Sequence, residues 1–380
     1  LDSFAWGLYE NDLLAFSAEN NDIKIWQADE LFDQDQLLQI PCENPRAKFW
    51  WDFKAVPERA LLERTLDLRA LIKMSEGVLK IEHFNLQDEH GKTVVFLQFV
   101  SFFRTAAART PLLRQIKLIP LTGYQDEYAQ ALESATELSG FKPSLNPVDS
   151  LLGAIGVTPA PYTVKPEVLI DASMSSRAVA DSIISQMIEK QRLTEQGVID
   201  DIDTEFLHHF RVSIRMIRAA IAQLKEVYPE QDVAMLKERF GKLGRETNHL
   251  RDLDVFILDK PRYVSLLPES LAEGLLPMFE DFEKDRVNEV KRISKWLSSE
   301  AYNKEIEELQ ALFSQGYSAG ETQWSERPAV ELAVSKIMKR YIKIQKAALK
   351  ITHDTPDEAI HSIRIECKKL RYLLYFFGSL

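Results

Sequence analysis

One pattern occurs twice in this chain, and it constrains the fold more than any other feature. His208-His-Phe-Arg-Val-Ser-Ile-Arg-Met-Ile-Arg218 and His361-Ser-Ile-Arg-Ile-Glu-Cys-Lys-Lys-Leu-Arg371 superpose without a gap at an offset of 153 residues, both reading HxxR[VI]xx[RK]xxR. A repeat of that length means one supersecondary unit built twice. Each copy follows acidic residues that suit a helix start, Asp203-Thr-Glu205 and Asp357-Glu358, and each is preceded by another long segment of helical period. A duplicated four-helix unit is the expectation.

The motif itself is amphipathic in an unusual way. With His208 at 0° and about 100° per residue, Arg211, Arg215 and Arg218 fall at about 300°, 340° and 280°. Leu207, Phe210, Ile214, Ile217 and Ile221 occupy the adjoining arc, the face that a bundle helix buries. The basic stripe therefore borders the core instead of opposing it. In the second copy His361, Arg364, Lys368 and Arg371 form the stripe, and Ile360, Ile363, Cys367, Leu370 and Leu374 form the apolar arc. Lys369 lies off that stripe.

Ordinary solvated helices place Glu three or four residues from Lys or Arg, because like charges at that spacing repel. Neither stripe contains an acid, so the pattern suits a polyanion that neutralises it. Further candidates are Lys336, Arg340 and Lys343, which share a face in an acid-free run from Lys336 to Lys350, and Lys242, Arg245 and His249, just before Arg251-Asp-Leu-Asp254. For these the alternative is plain surface charge or a partner for a helix C-terminal dipole, and Arg251 with Asp252 reads equally as a structural ion pair.

Arg presents planar bidentate donors to phosphate oxygens, Lys a point charge, and His one hydrogen bond without a permanent charge. Inorganic polyphosphate fits this donor set. RNA and DNA rank below it, since single strands call for exposed aromatics among the cations, and no aromatic falls within the stripe arcs. His208 and His361 have no nucleophile or positioned carboxylate in their stripes, so no catalytic residue, metal or cofactor is assigned. No P-loop, GxGxxG, HExxH or GxSxG motif occurs.

The formal charge of -11 makes the whole molecule a poor partner for polyanions, so any such site is local. Cys42 and Cys367 are far apart and lack metal-ligand spacing, which argues against a disulfide framework or a Cys-rich zinc site. No run approaches a membrane-spanning length, and the first residues lack the features of a signal peptide. A soluble cytoplasmic protein, associated with polyphosphate granules, is expected.

Two regions differ in periodicity. In residues 1–140 the stretches 22–27, 78–84, 93–100 and 112–121 read as strands, with helices at Pro57 to Lys73 and Gln125 to Ser139, the latter closed by Gly140. This is an α+β domain, with Trp6, Trp26, Trp50 and Trp51 expected in its core. Residues 141–172 form a proline-dense linker with one short amphipathic helix. From there β signals vanish, and helical segments are predicted at roughly 175–197, 203–227, 230–249, 268–297, 301–314, 327–350 and 356–377. The all-α region divides into bundles at 173–300 and 301–380.

At LHHFRVSIRMIR, LGRETNHLRDLDVF and IHSIRIECKKLRYLLYFF the chain resembles the CHAD family, α-helical domains named for conserved histidines. The resemblance covers about residues 175–380 and implies two pseudo-symmetric four-helix bundles around a basic channel that binds inorganic polyphosphate. Carried over, the binding residues are His208, Arg211, Arg215, Arg218, Arg251, His361, Arg364, Lys368, Lys369 and Arg371, Lys369 by resemblance alone. The first copy continues into another helix and an RDLDVF turn, whereas the second ends with its motif helix. The expectation is a second bundle truncated at its C-terminus, with exposed apolar surface that favours homo-oligomerisation.

Leu1-Asp-Ser-Phe-Ala-Trp-Gly-Leu-Tyr9 and Leu66-Asp-Leu-Arg-Ala-Leu71 resemble, more faintly, the CYTH or triphosphate-tunnel family, an antiparallel sheet or barrel. That family's ExExK strand would precede Leu1 and is absent, and Thr93 to Val100 carries no charge. A degenerate packing or recognition domain is therefore expected. The rival functions are a metal-dependent triphosphate hydrolase in this domain and a helical scaffold for nucleic acid or protein.

Overall fold

A computed structural model describes residues 1–17, 21–28, 31, 36–137, 141, 146–171, 173–314 and 320–380. The chain forms two compact units, Leu1–Tyr162 and Thr163–Leu380.

The first unit is α+β. Strands β1 (Leu13–Ser17), β2 (Ile23–Gln27) and β3 (Leu38–Ile40) form one antiparallel sheet, with Ala15 opposite Ile25 and Lys24 opposite Gln39. β4 (Val78–Gln87), β5 (Thr93–Phe103) and β6 (Leu113–Pro120) form another, with Ile81 opposite Val100 and Phe99 opposite Ile116. Among the described residues these remain two three-stranded sheets with no strand joining them. The alternation that marked β2 works as expected: Ile23 and Ile25 point into a buried cluster with Leu13, Ala15, Leu62 and Leu66.

Helix α1 (Arg59–Leu66) is shorter than the predicted span from Pro57 to Lys73. Asp67 turns the backbone to φ 50°, and Ile72 instead pairs with Asp2 as an isolated bridge. Helix α2 covers Gln125–Glu137; Ser139 and Gly140, its expected end, lie outside the described residues. The short amphipathic helix is α3 (Pro147–Ala154), capped by Asn146, whose side chain accepts from the backbone N–H groups of Val148 and Asp149. α3 falls within the first compact unit, where Val148 and Leu152 pack with Trp6 and Trp26. Trp50 is half-buried against the core, but Trp51 is a correction: it is 41% exposed and stacks on Phe49 with ring centroids 4.6 Å apart.

The second unit is all-helical among the described residues. Its helices are α4 (Ser176–Ile199), α5 (Thr204–Gln223), α6 (Glu230–Glu246), α7 (Asn248–Leu258), α8 (Lys260–Ser265), α9 (Glu269–Ala272), α10 (Leu276–Leu297), α11 (Glu300–Ser314), α12 (Ala329–Ala348) and α13 (Asp357–Phe376). None is long and apolar enough to cross a membrane. α4 is central and packs against α5, α10, α11 and α12, which explains why it buries residues around most of its circumference. Ser175 caps α4 and Asp203 caps α5, each side chain accepting first-turn N–H groups. The RDLDVF segment, expected as a turn, is helical: Thr247 at φ -102° and ψ 5° ends α6, and α7 starts at once.

Close α4–α5 packing depends on Gly197. A Cβ there would meet the Phe206 ring at 2.1 Å. Gly197→Ala should therefore destabilise the helical unit by about 1–3 kcal/mol through overpacking, read as a lower urea midpoint. Adding Phe206→Leu should restore part of the loss; an unchanged midpoint for the single variant would contradict this account of the contact.

Candidate anion-binding site

α5 carries the first stripe. Leu207, Phe210, Ile214, Ile217 and Ile221 are buried, as the wheel predicts, and this fixes the roll of the helix and leaves Arg215 and Arg218 exposed. Arg211 is half-buried and held by three neutral acceptors. Its Nη1 donates to the Gly244 carbonyl at 3.0 Å and to Thr247 Oγ1 at 2.7 Å, and its Nη2 donates to Asn248 Oδ1 at 2.9 Å. The break between α6 and α7 is what brings these acceptors together. Arg211, Arg215, Arg218 and Arg245 line one pocket of about 150 Å³ with Ile214, Gly244 and Asn248.

Burial lowers the pKa of Arg211; Asp252 opposes this, while Arg251 and Arg215 add to it. Arg251 brings a further donor, because its Nη1 is buried without a hydrogen-bond partner. The alternative reading of Arg251 and Asp252 as an ion pair is not realised. In this segment Asp254 is the paired acid, accepting from Arg286 Nε at 2.7 Å, while Asp201 accepts from Arg286 Nη1 and Nη2 at 2.9 and 2.6 Å. Burial raises the Asp254 pKa against the pull of Arg286 and Arg251. Burial would lower that of Arg286, but Asp201 and Asp254 hold it above its ordinary value.

The other first-half candidates separate. Lys242, Arg245 and His249 do not share one helix face, because the break at Thr247 places His249 on α7. Arg245 reaches the pocket but also pairs with Glu238 at 2.6 Å. Lys242 and His249 are exposed and do not line it. His208 is half-buried, its ring 5.7 Å from that of His209.

The second stripe is laid out differently. His361, Arg364, Lys368 and Arg371 are all exposed on α13 and none lines the Arg211 pocket. The apolar arc expected for this helix is a correction. Ile360 is 42% and Leu374 51% exposed, and Cys367 is exposed, whereas Leu373 and Phe376 are buried. α13 packs mainly on α12 and α5, and that contact selects a different face from the one buried in α5.

Sequence reasoning missed the acids that neighbouring helices supply. Lys336 pairs with Glu226. Glu366, with a side chain only 13% exposed, joins α12 to α13: it pairs with Arg340, with Lys343 at 3.3 Å and with Lys369 at 2.9 Å. The signal was the i, i+3 spacing of Glu366 and Lys369; the α12 partners needed the tertiary fold. Burial alone would raise the Glu366 pKa, but hydrogen bonds from Lys369, Arg340 and Lys343 outweigh it and bring it to about 2.

A family model, the CHAD domain, matches residues 182–380. An uncharacterized protein of Mycobacterium tuberculosis (strain CDC 1551 / Oshkosh) is 23% identical over 198 residues, which are 52% of this chain and 38% of that protein. The match thus spans well under two thirds of that relative. The crystal structure of the CHAD domain from the plant Ricinus communis is 24% identical and has a TM-score of 0.46, over 58% of this chain and 71% of that one. PptA from Streptomyces chartreusis is 12% identical with a TM-score of 0.38, over 54% and 76% of the two chains.

The Glu366 cluster makes a pH prediction. Its carboxyl titrates at about 2 in the fold against an ordinary 4.5, so its contribution is fully present above the ordinary value and is lost as pH falls toward the folded one. Chemical denaturation of wild type and Glu366→Gln should show the variant less stable at neutral pH, with the gap closing between those two values. A gap independent of pH would contradict the assignment.

Proposed function

The chain belongs to the CHAD domain family, and from that premise we propose that its helical unit binds inorganic polyphosphate, or a similarly phosphate-rich polyanion, without breaking it down. The observation that carries the reading is the pocket at the α6–α7 break. Arg211, Arg215 and Arg218 converge there, and the buried Nη1 of neighbouring Arg251 has no partner. Arg211 is anchored by a carbonyl, a hydroxyl and an amide. These fix its direction and leave its charge available to a ligand.

Phosphate matches that charge and geometry, since its oxygens accept bidentate bonds from guanidinium groups. The exposed His361, Arg364, Lys368 and Arg371 supply a second basic strip for a chain that extends beyond one pocket. Lys242 provides peripheral charge and His249 a further donor, Lys336 is occupied by Glu226, and Arg340, Lys343 and Lys369 form a third cationic group around Glu366. The α+β unit is, on this reading, a degenerate relative of the triphosphate-tunnel domain that packs or recognises.

Calorimetric titration with long-chain polyphosphate should show binding that weakens steeply with salt, because neutralising the cations releases the counterions of the polyanion. Arg215→Glu with Arg218→Glu leaves the buried anchor intact and should lower affinity by about tenfold or more. Arg364→Glu should add to the loss if one chain spans both strips. Wild-type affinity in the double variant, or displacement of polyphosphate by equal phosphate equivalents of RNA, would reject the reading.

A further inference from the structure

Glu366 is unlike the other paired acids of the helical unit. Asp254, Glu305 and Glu289 each meet one arginine, an ordinary structural match. Glu366 takes three cations from two helices: Arg340 and Lys343 from α12, and Lys369 from its own helix. Its Oε1 accepts from Lys369, and its Oε2 faces Arg340 Nη1. One carboxylate thus stands among three positive charges, leaving a net charge of about +2, and it does so in a nearly buried position while Lys343 and Lys369 remain 63% and 42% exposed.

We propose that the Glu366 carboxylate is an internal stand-in for phosphate, holding Arg340, Lys343 and Lys369 in the unliganded protein and competing with the polyanion for them. The proposal rests on the polyanion reading above and deepens it by naming a residue that limits affinity. Two oxygens sharing one charge, gripped by a guanidinium and two ammonium groups, match what one internal unit of a polyphosphate chain, with two non-bridging oxygens and one charge, would offer the same donors. The carboxylate keeps three mutually repelling cations gathered on the α12–α13 hairpin, and a docking phosphate must either displace it or share its donors.

Acidity does not release this grip under ordinary conditions, because the same three cations keep the carboxyl ionised far below neutrality. The competitor is therefore constant, and the route to lifting it is ligand charge: a long chain, held elsewhere by Arg215, Arg218 and Arg364, presents phosphate at high effective concentration. Short phosphates lack that second attachment. Glu366 would consequently sharpen the preference for long chains over inorganic phosphate or tripolyphosphate.

The test compares wild type, Glu366→Gln and a charge-matched control, Glu308→Gln, whose partner Arg239 lies outside the cluster. Glu366→Gln should bind long-chain polyphosphate about fivefold more tightly at low salt, the scale of one surface charge contact, and should gain proportionally more for tripolyphosphate. Glu308→Gln should show no such gain. In a Lys343→Gln, Lys369→Gln background the gain should disappear, since the cations in dispute are gone. Should Glu366→Gln fail to fold, Glu366→Asp, which withdraws the same charge by one methylene, should give a smaller gain in the same direction. Wild-type binding with unchanged or weaker binding by the Glu366 variants would overturn this proposal and leave the polyanion reading standing. No binding by wild type would overturn both.

Discussion

The helical unit depends on holding guanidinium groups beside a hydrophobic core without neutralising them. α5 must bury Leu207, Phe210, Ile214 and Ile217 to join the bundle, and this roll carries Arg211 partly out of water. A half-buried arginine needs hydrogen-bond acceptors. Here they are Gly244, Thr247 and Asn248, all uncharged, so the desolvated cation is oriented by neutral groups, with Asp252 acting on it only through space. Elsewhere in the unit Arg239, Arg286 and Arg292 are each held by carboxylates, while buried Arg177 donates to the carbonyls of Val227 and Gly320. The break at Thr247 makes the difference, because it exposes a carbonyl and turns two polar side chains toward α5.

The repeated motif does not produce repeated environments. In the first copy the helix following α5 folds back and its end supplies the acceptors for Arg211. In the second copy α13 has α12 and α5 as its principal neighbours, its apolar arc is partly exposed, and its cations lie open to solvent. Glu366 aligns with Ser213 of the first copy, which is buried in α5, so the repeat itself does not set the partners of Arg340 and Lys343. Identical spacing along a helix therefore sets only which side chains are collinear. What they touch is decided by the elements packed around them.

Much of this was legible in the residues. Alternating or continuous apolar runs located β2, β4, β5 and β6, and the 3.6-period runs located α4, α5, α6, α11, α12 and α13 to within about four residues, because both patterns are imprints of burial; the run expected at 268–297 is instead divided, with α10 starting only at Leu276. β1 and β3 escaped notice because each is short, five residues for Leu13–Ser17 and three for Leu38–Ile40, too few for a burial pattern to stand out. The α6–α7 break was hidden because Thr247 and Asn248 fit a helical run well enough, and only the backbone turn at Thr247 shows the change of direction. Glu366 was missed for another reason. A wheel drawn for one helix assigns charges to that helix alone, whereas the partners of Arg340 and Lys343 come from across the hairpin.

The overall composition sharpens what the Arg211 pocket means. With 58 acids against 47 bases, carboxylates are plentiful, and the helices flanking the stripe use them freely to pair Arg239, Arg245 and Arg292. A neighbourhood where Arg211, Arg215 and Arg218 meet without a bound carboxylate thus runs against the average of the chain. Mutual repulsion there lowers stability modestly, and an acid within reach would relieve it. With a net negative chain, attraction of a polyanion to this cationic pocket is local, screened within about 10 Å at moderate salt. On the polyanion reading proposed above, such a pocket would distinguish ligands by the spacing of their charges, favouring adjacent phosphates over phosphates separated by sugars.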